Sequence, residues 1–194
     1  MTDIARVTGL PQSTVHHLLP TTMVDAVERA RPALHALRRS TGCTVHLAVL
    51  LGDELVHVDE VEKPYRTAWR LGTSLPAHGT AIGKAVLASF SPAELDAHLT
   101  RTGLPARTPH TITSAPRLRA QLTRVRRSGF ALDDEENEVG VRCVGAAVRD
   151  HSGAVIGGLS ASSPALEHSL PELIALGPRV LRAADEVSAA LGWL

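Results

Sequence analysis

The residues best suited to metal chemistry in this sequence are its ten histidines and two cysteines. His16 and His17 are adjacent, whereas His46 and His57 fall on the two strands of a predicted hairpin. The two strand histidines would face each other only if the register of the hairpin allows it, and no third ligand is indicated. Because metal sites require several ligands at characteristic spacing, we expect neither a metal ion nor any other cofactor.

Two segments resemble catalytic motifs but lack a required residue. Between Gly79 and Gly83 lie three residues rather than the four of a phosphate-binding loop, and Ala85 stands where that loop needs Ser or Thr. Residues 160–163 lack the glycines of a nucleophile elbow. A hydrolase using Ser160 or Cys143 is a weaker alternative, because neither has a paired base at a readable spacing. We therefore predict no catalytic residues and no enzymatic activity.

Charge and composition exclude several classes of protein. The chain has 194 residues with 20 Lys+Arg and 20 Asp+Glu, so a globally basic nucleic-acid-binding surface is not expected. The length fits one domain and a fragment of a second. The first residues lack the apolar core of a signal peptide, and the longest apolar run, residues 47–51, is too short to span a bilayer. These features predict a reduced, cytoplasmic protein with no membrane partner.

An acidic run follows one predicted strand and comprises Asp133, Asp134, Glu135, Glu136 and Glu138. The simplest interpretation is a solvated loop. The alternative is that one carboxylate turns into a ligand cavity, where it accepts hydrogen bonds from a hydroxyl group.

Hydrophobic periodicity predicts that helices and groups of strands alternate along the chain. Helices are expected at 23–39 with Thr22 as N-cap, at 79–90, after the capping box at Ser91, after Ser114, and from Ser169 to about Leu191. Strands are expected at 44–51, 55–61, 65–71, 130–133, 140–148 and 154–162. Because the strands occur in two groups of three with helices between and around them, we predict an α+β fold with one mixed or antiparallel sheet.

Residues 2–19 have the layout of a helix-turn-helix, with a glycine between two short helices. Polar side chains at the start of the second helix would meet the major groove of DNA. The candidate DNA-binding residues are therefore Gln12, Ser13, Thr14, His16 and His17. An ordinary amphipathic helix pair has the same pattern about as often.

Three stretches of the chain, residues 3–19, 70–88 and 129–164, resemble the IclR family of bacterial transcriptional regulators. The resemblance implies a GAF-like effector-binding domain at 22–194, preceded by a partial helix-turn-helix at 1–20. It also implies a small-molecule effector, often an organic or aromatic acid, that controls binding to an operator DNA. The implied effector-binding residues are Leu71, Ala81, Ile82, Gly83, Asp133, Cys143, Ala146, Ser160 and Ser162.

The sequence departs from the family pattern between Leu19 and the first helix of the effector-binding domain. A leading helix, a β-wing and a linker helix are expected in the family but have no counterpart here. Two hypotheses follow: a regulator that retains operator binding, or a metabolite sensor that acts through hetero-oligomers with full-length relatives. The resemblance also implies a homo-oligomer, either a dimer or a tetramer.

Overall fold

The computed structural model describes residues 21–61 and 72–193. The helices in these ranges are α1 (Thr21–Thr41), α2 (Ala81–Leu87), α3 (Pro92–Thr102), α4 (Ala115–Ser128) and α5 (Leu170–Ala190). The strands are β1 (Thr44–Leu51), β2 (Glu54–Val61), β3 (Ser74–Leu75), β4 (Ala131–Asp134), β5 (Val141–Arg149) and β6 (Val155–Pro164). Within the described ranges, no helix is long and apolar enough to cross a membrane.

The six strands form one antiparallel sheet in the order β3-β2-β1-β6-β5-β4, which confirms the predicted α+β fold. The two halves of the sheet meet where β1 pairs with β6, in a register that places His46 opposite Ser160. Residues from the start of the domain therefore lie beside residues more than a hundred positions later in the chain.

The two faces of the sheet are covered by different helices. One face packs on α1 and α5 through an apolar cluster that includes Leu34, Leu47, Val144, Leu159 and Val180. The opposite face, called the α2 face below, meets the first residues of α2. The far side of α2 in turn packs on α3 and α4, where the predicted stripe of Leu118, Leu122 and Val125 is buried. The strict alternation of a β-strand sends successive side chains to these two environments.

Close backbone packing fixes the position of α2 on the sheet. A Cβ atom on Gly145 would lie 2.9 Å from the backbone nitrogen of Ile82. A Cβ atom on Gly83 would lie 2.3 Å from both Cα and the carbonyl oxygen of Ala77. Only glycine permits both approaches, because the neighbouring atoms belong to the backbone and cannot rotate away.

Several element boundaries differ from those predicted. Helix α2 is shorter than the predicted 79–90, since Thr80 is its N-cap and Ala88 its C-cap. Thr22 lies inside α1 and is not the N-cap. The third strand of the first group is Ser74–Leu75. The strand predicted at 65–71 lies outside the described residues, and so does the helix-turn-helix predicted at 2–19.

Candidate functional site

A row of buried polar side chains crosses the α2 face of the sheet. We call it the polar row; its members are Asp133 on β4, Cys143 on β5, Ser160 and Ser162 on β6, His46 on β1, and His57 and Glu60 on β2. The strand registers place these residues side by side, because Asp133 pairs with Cys143, Cys143 with Ser162, and His46 with both Ser160 and Glu60. Most of an ordinary sheet face buried under a helix is apolar, so this concentration of polar groups indicates a binding site.

Hydrogen bonds join the centre of the polar row. The hydroxyl of Ser162 donates to Sγ of Cys143 at 3.0 Å, and its oxygen lies 3.1 Å from Nδ1 of His46. On the other side of the imidazole, Nε2 of His46 lies 3.3 Å from Oε1 of Glu60. Hydrogen bonds thus connect β1, β6 and β5, and the carboxylate of Glu60 on β2 lies next to the imidazole.

Asp133 marks the other end of the row and has an unusual protonation equilibrium. Burial raises the pKa of its carboxyl group to about 7, against the opposing effects of the positive charge of Lys84 and of a hydrogen bond from the backbone N–H of Glu136. That N–H donates to Oδ1 at 2.8 Å. Near neutral pH the group therefore exists in both its neutral and its charged form, and it can act as donor or acceptor to a ligand.

Cys143 is a buried thiol with little nucleophilic character. Burial raises its pKa well above the ordinary value, and the nearby carboxyl group of Asp133 raises it further. The thiolate is the reactive form of cysteine, so a raised pKa disfavours nucleophilic chemistry. Cys143 is not part of a disulfide.

A buried ion pair lies next to Asp133 and was not predicted from the sequence. Nζ of Lys84 lies 2.5 Å from Oε1 of Glu136 and 2.9 Å from Oε1 of Gln121. Lys84 is fully buried on α2, and Glu136 is buried in the loop that follows β4. The pair ties α2 to the acidic run, so the solvated-loop interpretation is wrong for Glu136 as well as for Asp133.

A β-bulge explains why two histidines from one hairpin share a face. Leu47 pairs with Asp59 and Ala48 with His57, so Val58 is left without a partner in the register. Without that extra residue, His57 would point to the opposite face of the sheet, which packs on α1. A bulge changes the direction of the side chains that follow it, and here it brings His57 beside His46, with ring centroids 5.0 Å apart.

The structure separates the predicted effector-binding residues into groups. Asp133, Cys143, Ser160 and Ser162 are all buried on the α2 face. Ala81 and Ile82 begin α2 on the same side, whereas the backbone N–H of Gly83 already donates to Oγ1 of Thr80 at 3.2 Å. Leu71 and the candidates Gln12, Ser13, Thr14, His16 and His17 lie outside the described residues.

The prediction for Ala146 does not agree with the structure. Ala146 packs in the apolar cluster between the sheet and helices α1 and α5. Ala146 follows Gly145 on β5, and Gly145 faces α2. Because consecutive residues of a strand point to opposite faces of the sheet, Ala146 faces away from α2.

A cleft of about 330 Å³ lies beside the Asp133 end of the row. Its walls are formed by Thr73, Ser74, Leu75, Pro76, Arg107, Asn137 and Glu138. Asn137 connects it to the row, because the backbone N–H of Asn137 lies 3.4 Å from Oδ1 of Asp133. The side-chain oxygen of Asn137 is buried without a hydrogen-bond partner among the described residues.

Comparison with known proteins places the chain and its fold in one family. Residues 20–189 match the family model described as "Bacterial transcriptional regulator IclR C-terminal". The HTH-type transcriptional regulator XynR of Escherichia coli K12 is 35% identical over 225 residues, covering 100% of this chain and 89% of XynR.

Solved structures give the same result. The crystal structure of IclR from Thermotoga maritima has a TM-score of 0.81 and 34% identity, covering 87% of this chain and 69% of that one. The inducer-binding domain of the Acinetobacter transcription factor PobR, a double mutant in complex with 3-hydroxybenzoic acid, has a TM-score of 0.74 and 30% identity over 82% of this chain and 95% of that one. These relatives are regulators rather than enzymes, which agrees with the predicted lack of catalysis. This chain therefore belongs to the IclR family of bacterial transcriptional regulators, and residues 20–189 match the family's C-terminal domain.

Proposed function

We propose that this IclR-type regulator binds a small organic or aromatic acid on the polar row and that binding controls its association with operator DNA. The observation that carries the proposal is the buried alignment of Asp133, Cys143, Ser160 and Ser162 beneath the start of α2. A related inducer-binding domain was crystallised with 3-hydroxybenzoic acid, which supports an acid as the ligand class.

The chemistry of the row suits a ligand with one anionic group and a few other oxygens. Ser160 supplies a hydroxyl donor, Ser162 supplies an oxygen whose proton is shared with Cys143, and Asp133 supplies a proton when it is neutral. Ala81 and Ile82 are the first residues of α2, where backbone N–H groups have no acceptor within the helix. Gly145 lets these two amides approach the sheet closely, since a side chain there would touch both residues.

The positive charge of Lys84 does not favour an acid at this site directly. Its ammonium group is already paired with Glu136 at 2.5 Å, so the two charges largely cancel. Recognition then depends on neutral donors placed in a buried site, where each hydrogen bond is stronger than it is in water. This arrangement favours a small, singly charged acid over a polyanion.

A binding screen of the whole chain tests the proposal. Thermal unfolding and calorimetric titration with 3-hydroxybenzoate and with small aliphatic oxo and hydroxy acids should identify at least one ligand that raises the melting temperature. We expect Asp133→Asn and Ser160→Ala each to lower the affinity for that ligand at least tenfold. A tenfold loss corresponds to about 1.4 kcal/mol, the size of a lost hydrogen bond.

Ser163→Ala is the matched control for this screen. Ser163 is the next residue after Ser162 on β6, is also buried, and bonds to Nδ1 of His168 at 2.7 Å, away from the row. Its removal should leave acid binding unchanged. The proposal is wrong if no acid stabilises the wild type more than it stabilises the Asp133→Asn/Ser160→Ala double variant.

A second candidate function is a sensor that acts through hetero-oligomers with full-length relatives. The observation that favours it is the alignment with XynR, whose 225 positions exceed the 194 residues of this chain by 31. XynR thus contains residues that have no counterpart here. Specific, salt-resistant operator binding by the isolated chain in a gel-shift assay would exclude this candidate, whereas co-purification with a full-length relative would support it.

A further inference from the structure

We propose that His46, His57 and Glu60 form a binding site for one divalent transition-metal ion of the zinc type. One ligand atom from each of these residues lies within 4.8 Å of the other two. Two imidazoles and one carboxylate are a ligand set that zinc accepts, with a further position open to water or substrate. The sequence alone predicted no metal, because it gave no sign of a third ligand and did not reveal the bulge in the hairpin.

The distances suit a single ion. Nitrogen and oxygen ligands bind zinc at about 2.0–2.1 Å, so neighbouring ligands of a tetrahedral ion are about 3.3 Å apart. Nε2 of His46 and Oε1 of Glu60 are 3.3 Å apart, which already matches that spacing. His57 is on the same strand as Glu60 and needs only a small side-chain adjustment, because its ligand atom is within 4.8 Å of those of His46 and Glu60.

A hydrogen bond of His57 indicates which of its ring nitrogens is able to bind a metal ion. Nε2 of His57 lies 3.0 Å from the backbone carbonyl oxygen of Asp59. A carbonyl oxygen can only accept, so Nε2 carries the proton and, in the neutral ring, Nδ1 carries the lone pair. Donation from the second ring nitrogen to a carbonyl group is the usual support for a metal-binding histidine.

His46 has equivalent support. The hydroxyl of Ser162 donates to Cys143, so its oxygen accepts a hydrogen bond from Nδ1–H of His46 at 3.1 Å. Nε2 then carries the lone pair on the side of Glu60. Both rings are fully buried and the side chain of Glu60 is 9% exposed, so bulk water competes little with the protein for the ion.

The open coordination position connects the metal site to the polar row. Three protein ligands leave a tetrahedral ion with one position for a water molecule or for an anionic group of another ligand. Ser162 belongs to the proposed acid-binding site and bonds to His46, so an acid bound there lies next to the ion. This last step depends on the proposed function; the metal site itself does not.

Titration of metal-free, untagged full-length chain with Co²⁺ and Zn²⁺ tests the proposal without any acid present. We expect one ion per chain, visible absorption bands of tetrahedral Co²⁺ that Zn²⁺ displaces, and a higher melting temperature in Zn²⁺. Glu60→Gln and His57→Gln should each weaken Zn²⁺ binding by about 100-fold while the circular dichroism spectrum is retained. Glu60→Gln keeps the shape of the side chain, so it serves if His57→Gln does not fold.

His98→Gln is the matched control, because His98 is also a buried histidine that lies beside a carboxylate, with Nδ1 3.2 Å from Oδ1 of Asp53. The His98→Gln variant should bind one Zn²⁺ per chain with the affinity of the wild type. Absence of stoichiometric binding, or wild-type affinity in both Glu60→Gln and His57→Gln, would overturn the metal site. Acid binding that persists in excess chelator would leave the proposed function intact even then, so the two failures are distinguishable.

Discussion

Lys84 and Glu136 form an ion pair inside the protein, with Nζ and Oε1 2.5 Å apart and both side chains almost inaccessible to solvent. The lysine comes from α2 and the carboxylate from the loop after β4. Since this loop also supplies the backbone N–H groups that bind Asp133, the pair fixes both the helix and the carboxyl group on which the proposed acid site depends.

Lys84→Met is expected to destabilise the protein by about 3–5 kcal/mol, because it leaves the carboxylate of Glu136 buried without its cation. The Lys84→Met/Glu136→Gln double variant should recover part of that loss. Urea unfolding followed by circular dichroism measures both. Arg119→Met provides the comparison, since the ion pair of Arg119 with Asp96 is largely exposed and should cost less than about 1 kcal/mol. Equal losses for the buried and the exposed pair would contradict this account.

Asp133 is expected to make the protein less stable as the pH rises from about 4 to about 7. Its pKa is about 7 in the folded protein and 3.8 when unperturbed, so the folded state binds more protons in this window. The contribution is complete below the unperturbed pKa and is lost as the pH passes the folded pKa. Relative to Asp133→Asn, the free energy of unfolding of the wild type should fall by up to about 1.4 kcal/mol per pH unit.

The measurement is a series of urea titrations of both proteins between pH 4 and pH 8. Parallel stability curves would show that Asp133 titrates normally. If acid binding uses the neutral form of Asp133, the affinity for an organic acid anion should also weaken above pH 7 in the wild type and much less in Asp133→Asn.

Gly145→Ala should destabilise the protein by about 1–3 kcal/mol, because the new Cβ atom would lie 2.9 Å from the backbone nitrogen of Ile82 and 3.1 Å from Cβ of Ala81. Thermal unfolding and acid titration of the variant measure both stability and the integrity of the site. Gly79→Ala is the control, since its nearest neighbour would be 3.7 Å away, an ordinary contact. A Gly145→Ala variant as stable as Gly79→Ala would refute the close packing of α2 on β5.

Thr80→Val should cost about 1–2 kcal/mol, because valine keeps the shape of threonine but removes the N-cap of α2. The Oγ1 atom of Thr80 accepts from the backbone N–H of Gly83 at 3.2 Å and donates to the carbonyl oxygen of Pro76 at 3.0 Å. Thr80→Ser retains both bonds and should lose clearly less stability in the same unfolding experiment. Identical losses for valine and serine would assign the effect to packing instead.

Local patterns were sufficient to predict most of the elements. The hairpin of β1 and β2, the three C-terminal strands and the capping boxes at Ser91 and Ser169 are confirmed, since each depends on residues close together in the sequence. Helix α2 was predicted too long, because alanines throughout residues 79–90 favour a helix while the cap at Thr80 and the turn after Leu87 limit it to seven residues.

The site was predicted less completely, because it depends on register. An error of one residue put Ala146 on the wrong face, and the bulge beside Ala48 could not be read from alternation along β2. The ion pair of Lys84 and Glu136 joins residues 52 positions apart, which no local pattern reveals.

The junction of β1 with β6 has a consequence for the order of events during synthesis. His46 and Ser162 are 116 residues apart, yet they are direct neighbours in the polar row. A nascent chain that has completed only the first hairpin therefore carries three of the seven side chains of the row and lacks Asp133, Cys143, Ser160 and Ser162, which form the proposed acid site. Contacts between such distant segments depend on the last strand, so the proposed acid site is complete only once β6 has left the ribosome and joined the sheet.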